Sequence, residues 1–293
     1  MNWFLLAFIS AVFSAVSTIS EKKALFSLKA LDFSFLVSVV TLVFSIPFFF
    51  NIQYNTLFTI SIAVLFLKTL LNAGAYLSVM QAIKSMEVSE ALPLIALSPG
   101  LVAILGAPMI GDTLHLHEWL GILLMVTGTY ILELRKNNSG IFQPFKLMLG
   151  SHKYLYVFIA LILFTVTSLL DRLLLKNYSL PPYTFMAFQQ LFFVLIFFVA
   201  YAAQNKGKVT RIENYSGKVL YTVLIVSVCT VIYRYTQIEA TKIAPAALVL
   251  AVKRISVLLV VIFGGRLFAE GNILRKSIAA AIILAGITVL LTR

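Results

Sequence analysis

Residues 17–22 read STISEK, and 150 positions later residues 167–172 read TSLLDR. Each stretch closes a long apolar run, LLAFISAVFSAV (5–16) in the first case and YVFIALILFTV (156–166) in the second. Ser17-Thr18 falls on Thr167-Ser168, Glu21-Lys22 on Asp171-Arg172, and Phe35 on Phe185. A shift of 158 aligns the later part of each half. Lys84 then falls on Lys242, Ser98 on Ser256, Asp112 on Glu270, Gly121 on Ala279 and Gly128 on Gly286. The change of shift is absorbed by the longer 204–216 connection. A chain that repeats itself over half its length is built from two copies of one unit.

The apolar runs set the solvent. Of 293 residues, 61% are hydrophobic and 12% charged, with a mean hydropathy of +1.00. That leaves too little polar surface to cover a soluble core. Runs of about twenty residues match the ~30 Å hydrocarbon thickness of a bilayer as helix. Ten spans follow, at about 2–20, 32–50, 57–83, 91–110, 117–134, 154–175, 183–203, 217–238, 243–266 and 273–292. The expected architecture is all-α and integral to the membrane, in two five-helix repeats. The first repeat is 1–135, the connection 136–153 and the second repeat 154–293. Five spans per repeat is odd, so the second copy enters the membrane inverted relative to the first. Inverted repeats of this kind place a binding site near the midplane between the halves. The start, MNWFLLAFISAVF, has neither a basic leader nor a small-residue cleavage site, so it reads as a retained helix. The lone Cys229 excludes an internal disulfide. The net charge of +12 sits mostly in loops, which suits lipid head groups rather than nucleic acid.

The stretch AIKSMEVSEALPLIALSPGLVAILGAPMIGD (82–112) followed by EWLGILLMVTGTYIL resembles the first EamA repeat of the drug/metabolite transporter superfamily. EATKIAPAALVLAVKRISVLLVVIFGGRLFAEGN followed by SIAAAIILAGITVLL resembles the second. Asp112 stands where the family usually has Glu. The resemblance implies a ten-helix basket in the cell membrane, the inner one in a bacterium, with a cavity lined by spans 1, 3, 4, 6, 8 and 9. It also implies alternating access, a small-molecule substrate and no metal or organic cofactor. Small multidrug members carry a Glu in mid-span 1. Here that region reads Ala11-Val12-Phe13-Ser14-Ala15, which argues against proton-driven export of cationic drugs.

Loop charges bear on orientation. The side opposite the termini carries fifteen Lys/Arg and the side of the termini four. The positive-inside rule therefore puts the termini outside, whereas ten-helix relatives usually keep them inside.

Four cations fall within spans: Lys68, Arg234, Lys253 and Arg254. A cation at mid-bilayer costs about 2.5–3.5 kcal/mol on insertion scales, so it is expected to face a cavity or a partner. Lys68, Asn72 and Tyr76 form one polar stripe at i, i+4 and i+8. Arg234 has Ser227 and Thr230 behind it, Gln237 ahead, and Tyr233 beside it. Lys253 and Arg254 diverge by about 100° on a helix, so at least one points inward. Their counterparts in the first repeat, Ile95 and Ala96, are uncharged. The acids Glu21, Glu90, Asp112, Asp171, Glu239 and Glu270 all fall near predicted span ends. Capping salt bridges, such as Glu21 with Lys22 and Asp171 with Arg172, are the expected use; a part in coupling for Glu21 or Asp171, were the helices shifted, is the alternative.

On this reading the buried cations lack carboxylate partners and favour an anionic ligand, since Arg grips phosphate or carboxylate with a two-pronged fork and Lys adds a point charge. A Lys-Arg dipeptide in span 9 also resembles the phosphate-translocating branch of the superfamily, which implies substrate contacts for Lys253 and Arg254, with Tyr233 a looser match. The candidate binding residues are thus Lys253, Arg254, Lys68, Arg234, Asn72, Tyr76, Tyr233 and Gln237. Their cargo would be a small organic anion or phosphorylated metabolite. An exporter of amino acids or other neutral or zwitterionic metabolites, and a lipid-phosphate flippase, are the alternatives. No Ser/His/Asp, paired-carboxylate or metal constellation lies in the spans, so an enzyme is not expected. His115 and His117, near Asp112 and Glu118, read as a solvated loop. Gln189 and Gln190 are mid-span and polar, suited to line the cavity or to bond between helices. Pro93, Pro99 and Pro245 free backbone groups in spans 4 and 9. Gly128 and Gly286, with Ala279, Ala280 and Ala281, read as sites of close helix packing.

Overall fold

The computed structural model describes residues 2–25, 28–52, 59–85, 95, 97–133, 152–204, 216–268 and 273–291. Glu90, Pro93, Ala96 and Glu270 lie outside them, as does most of both longer connections. The regular structure is helical: α1 (Trp3–Leu25), α2 (Ala30–Phe49), α3 (Thr59–Ser85), α4 (Ser98–Ile110), α5 (Leu116–Glu133), α6 (His152–Lys176), α7 (Pro182–Gln204), α8 (Gly217–Ile243), α9 (Ala246–Lys253), α10 (Ile255–Phe268) and α11 (Ile273–Leu291). Helices suit a hydrocarbon solvent because they satisfy their backbone polar groups internally. Six of them, α1, α2, α3, α6, α7 and α8, are long and apolar enough to cross a membrane unaided. The described parts of spans 4, 5 and 10 contain shorter apolar helices.

Helix pairing follows the repeat. α1 packs on α8 and α3 on α6, which are the same pairing once the halves are exchanged. α2 packs on α7, α4 on α9, and α5 on α11. Each of these last three matches a span with its own counterpart in the other half. A two-fold relation between two five-span units produces this pattern.

Two differences from the sequence expectation matter. First, α1 runs on to Leu25, past the expected end of span 1 at 20, so Glu21 lies about a turn inside its helix, as Asp171 does in α6, which ends at Lys176. Second, span 9 is two helices. Pro245, with no N–H to give, precedes α9, and α9 ends at Lys253. The Arg254 N–H bonds back to Ala251 O at 3.0 Å, and the Val257 N–H to Arg254 O at 3.0 Å. Both bonds have the tighter three-residue spacing, which often marks a functional discontinuity. The dipeptide thus sits on the break.

The expected close packing is present where α5 meets α11. A methyl group built on Gly286 would lie 2.6 Å from Met125 Cγ and 3.0 Å from Gly121 O, and one on Gly128 would lie 2.8 Å from Ile283 Cγ1. Close approach of backbones through small residues is what drives association when lipid is as apolar as the helices themselves.

The bundle is closed at the end where both termini lie. Leu6, Ala7, Val102, Ala103 and Ile110 pack there with the Ala244–Val249 stretch. A polar knot joins the two repeats at the same end. Arg172 donates from Nε and Nη2 to the Asp112 carboxylate at 3.2–3.3 Å. Its Nη1 donates to Thr241 O at 2.6 Å and Lys242 O at 3.0 Å. Lys176 Nζ adds a 2.9 Å bond to Asp112 Oδ1 and one of 3.0 Å to Gly111 O. Gly111 adopts φ +70° beyond the end of α4, the left-handed position that favours glycine. The expected structural role of Asp112 is met, and Arg172 pairs with it rather than with Asp171.

Candidate functional site

A cavity of about 400 Å³ lies between the repeats. Its floor is near Asp171 on α6, Gln237 on α8 and Leu250 on α9. It runs toward Glu21 at the end of α1, Ser34 at the start of α2, and Val260 on α10. The cavity is therefore directed at the end of the bundle opposite the termini, the end rich in loop Lys/Arg.

Sequence periodicity explains the walls. Ser14, Thr18 and Glu21 fall at i, i+4 and i+7 along α1, and Phe164, Thr167, Ser168 and Asp171 at i, i+3, i+4 and i+7 along α6. Each set makes one helix face. Ser34, Ser38 and Thr41 do the same on α2, and Asn72 and Tyr76 on α3. Phe193 and Phe197 on α7 add apolar surface.

The four intramembrane cations separate into distinct roles. Lys68 is fully buried and does not line the cavity. Its Nζ lies 2.7 Å from Asp171 Oδ1 and 5.1 Å from the Phe185 ring centroid. The expectation that it touches cargo is corrected on this geometry: Lys68 sits behind Asp171. Arg234 does line the cavity. Its Nη2 donates to Gln189 Oε1 at 3.1 Å and its Nη1 to Gln237 Oε1 at 3.3 Å, while Asp171 Oδ2 stands 3.5 Å from Nη2. Lys253 donates to Gln237 Oε1 at 2.7 Å and rests over the Tyr233 ring, 4.7 Å from its centroid. Arg254 also lines the cavity, donating to Ile95 O at 2.8 Å and to the Ser98 hydroxyl, two groups of the same wall. It thereby ties the start of span 4 to the break in span 9. Asn72, Tyr76, Tyr233 and Gln237 all line the cavity.

The expectation that the buried cations lack carboxylates is overturned. Asp171 serves both Lys68 and Arg234, and Glu21 also lines the cavity. Sequence reading had placed both acids at helix ends. Their polar stripes, Ser14/Thr18/Glu21 and Thr167/Ser168/Asp171, carried the signal that they face inward. Gln189 makes a bond between helices, as its mid-span position suggests, and is one of the two amides holding Arg234 in place.

Even so, the site retains more positive than negative charge. Lys68, Arg234, Lys253 and Arg254 stand against Asp171 and Glu21. Lys253 spends one donor on a neutral amide, and an aromatic face covers it on one side. An ammonium has three donors, so capacity for an anion remains. Elsewhere, His115 stacks on His117 with centroids 5.6 Å apart, and the His115 N–H donates to Glu118. Among the described residues no three His, Cys, Asp or Glu side chains converge to hold a metal.

Residues 1–134 match the EamA-like transporter family. A solved structure described as "Crystal structure of protein" superimposes with a TM-score of 0.76 at 16% identity, over 98% of this chain and 95% of that one. At that identity the likeness speaks for the fold alone. No curated protein matches the chain.

Proposed function

Starting from a chain that, through its first 134 residues, is an EamA-type member of the drug/metabolite transporter superfamily, and hence a multi-pass membrane transporter, we propose that its cargo is a small organic anion. The observation that carries this reading is the charge on the cavity wall, three cations (Arg234, Lys253 and Arg254) to two carboxylates (Glu21 and Asp171), with Lys68 behind Asp171 and with Lys253 held by no carboxylate at ion-pair distance among the described residues. Arg234 presents its guanidinium from a frame of two neutral amides, with Asp171 at 3.5 Å as a looser partner. An arriving carboxylate or phosphate would meet Lys253 and Arg234 across Gln237, which accepts from both. In a low-dielectric cavity such charge-assisted bonds are stronger than neutral ones.

Hydroxyls on α1 and α2 and the rings of Tyr76, Phe193 and Phe197 supply contacts for the rest of the molecule. Transport proceeds by alternating access, with the present form closed at the Asp112–Arg172 knot and directed toward the other face. The loop-charge excess assigns that face to the cytoplasm, so anions enter the cavity from inside. The chemistry is movement rather than bond making.

The test is uptake of radiolabelled organic anions into proteoliposomes. Lys253→Gln and Arg234→Gln are expected to abolish uptake while inserting normally. Unchanged uptake by both variants overturns the reading.

A further inference from the structure

Glu21 and Asp171 hold the same position in the two repeats, and both line the cavity. Their surroundings differ. Asp171 has Lys68 at 2.7 Å and Arg234 at 3.5 Å. Glu21 accepts the Ser17 hydroxyl at 3.0 Å, and among the described side chains, which do not include that of Lys22, no cation stands at ion-pair distance from it. The repeat accounts for the contrast. Shifting by 158, the position of Lys68 becomes Val226 in the second half, and that of Arg234 becomes Tyr76 in the first. The first-repeat acid has lost the basic partners of its twin.

α1 packs on α2, α8, α9 and α10. The charged or titratable groups that line the cavity with Glu21 are Tyr233 and Arg234 on α8, Lys253 on α9 and Arg254 just beyond it; α6 adds Asp171 and α3 Tyr76, and the lining groups of α2 are Val37 and hydroxyls. Lys253 lines the same cavity from α9, one of the helices packed on α1. Lys253 is also one of the two cations assigned above to the cargo. Once an anion sits on Lys253, its charge is compensated, and Glu21 loses the counter-charge that keeps a carboxylate ionised away from bulk water. Binding of the anion and binding of a proton by Glu21 then favour each other, and thermodynamic linkage makes the coupling reciprocal.

From this geometry we infer that Glu21 is a proton-binding site coupled to the anion site, so that anion and proton occupy the cavity together. The inference rests on the anion reading. The step balances simply. A solvent proton adds to a Glu21 carboxylate oxygen as the anion binds; no bond in the cargo changes. On the far face the anion leaves, the charge of Lys253 acts again, and the proton returns to water. Each cycle carries one positive charge with the anion.

Infrared difference spectroscopy of the purified full chain tests this, with sulfate as a probe anion that does not titrate near neutral pH. Adding sulfate to the wild type is expected to produce a protonated-carboxyl absorption that is lost in the isosteric Glu21→Gln and kept in Glu118→Gln, a loop control. Lys253→Gln should show the absorption before any sulfate is added. The absorption persisting in Glu21→Gln, or failing to appear in a wild type whose melting temperature sulfate raises, overturns the inference. If sulfate does not raise that temperature, the anion reading is what fails for this probe. Lys253→Gln then still decides on Glu21: an absorption present supports the proton site, and its absence overturns it.

Discussion

Replacing Asp171 with Asn keeps the side-chain shape and removes the charge on which two cations depend. The cost falls mainly on Lys68, which is fully buried and has Asp171 at 2.7 Å as its counter-charge. Arg234 keeps its amide partners at 3.1 and 3.3 Å. Removing one partner of a buried ion pair costs about 3–5 kcal/mol, because an uncompensated charge stays behind. Lys68→Met should cost less, since Asp171 retains Arg234 at 3.5 Å and borders the cavity. The double variant Lys68→Met/Asp171→Asn removes the stranded charge together with its partner. It should be more stable than the sum of the single losses predicts, by about 0.5–3 kcal/mol, the usual range for directly interacting residues. Unfolding in detergent micelles, followed by the fluorescence of Trp3 and Trp119, measures all three. A loss in Asp171→Asn within about 0.5 kcal/mol, as for an ordinary surface change, would refute the reasoning, as would strictly additive losses.

Other consequences are as specific. Gly286→Val places a side chain where a methyl already meets Met125 Cγ at 2.6 Å; overpacking of this kind should cost about 1–3 kcal/mol, read as a lower melting temperature. Asp112→Asn removes the carboxylate shared by Arg172 and Lys176. In a Cys229→Ser background, a cysteine placed at Leu250 should then react faster with an impermeant thiol reagent from the face that carries the termini. A reporter fused to Arg293 that is active only outside the cytoplasm should be active, following the fifteen-to-four excess of loop cations; inactivity reverses the assignment of faces.

Much of the fold could be read from the chain because hydrocarbon imposes simple rules on length and polarity. The spans, the two inverted units and the glycine contacts between α5 and α11 all follow from local composition and from the internal repeat. The site was legible as a set of helices and cations, but not as a set of partners. Hydropathy ends span 1 where charge begins, whereas α1 continues past Glu21 to Leu25. Span 6 already reaches past Asp171, and position near a helix end alone does not say that both acids face the cavity rather than cap their helices. The Lys68–Asp171 pair joins positions 103 apart in sequence, and nothing local announces it. Arg254 shows the same limit. Its place beside Lys253 does not announce that the break after α9 sends one side chain to Gln237 and the other to Ile95 and Ser98, all on the wall of one cavity.

The central claim is that the cavity selects negative charge. The most direct test is the melting temperature of purified protein against compounds of one carbon skeleton ending in a carboxylate, a phosphate, an amide or an amine. A ligand that binds the folded state adds about 2.7 kcal/mol at a hundred times its Kd, so weak binders also register. The account predicts stabilisation by the carboxylate and phosphate, lost in Lys253→Gln and Arg234→Gln. Stabilisation by the amine or amide, with none from the two anions, would contradict it.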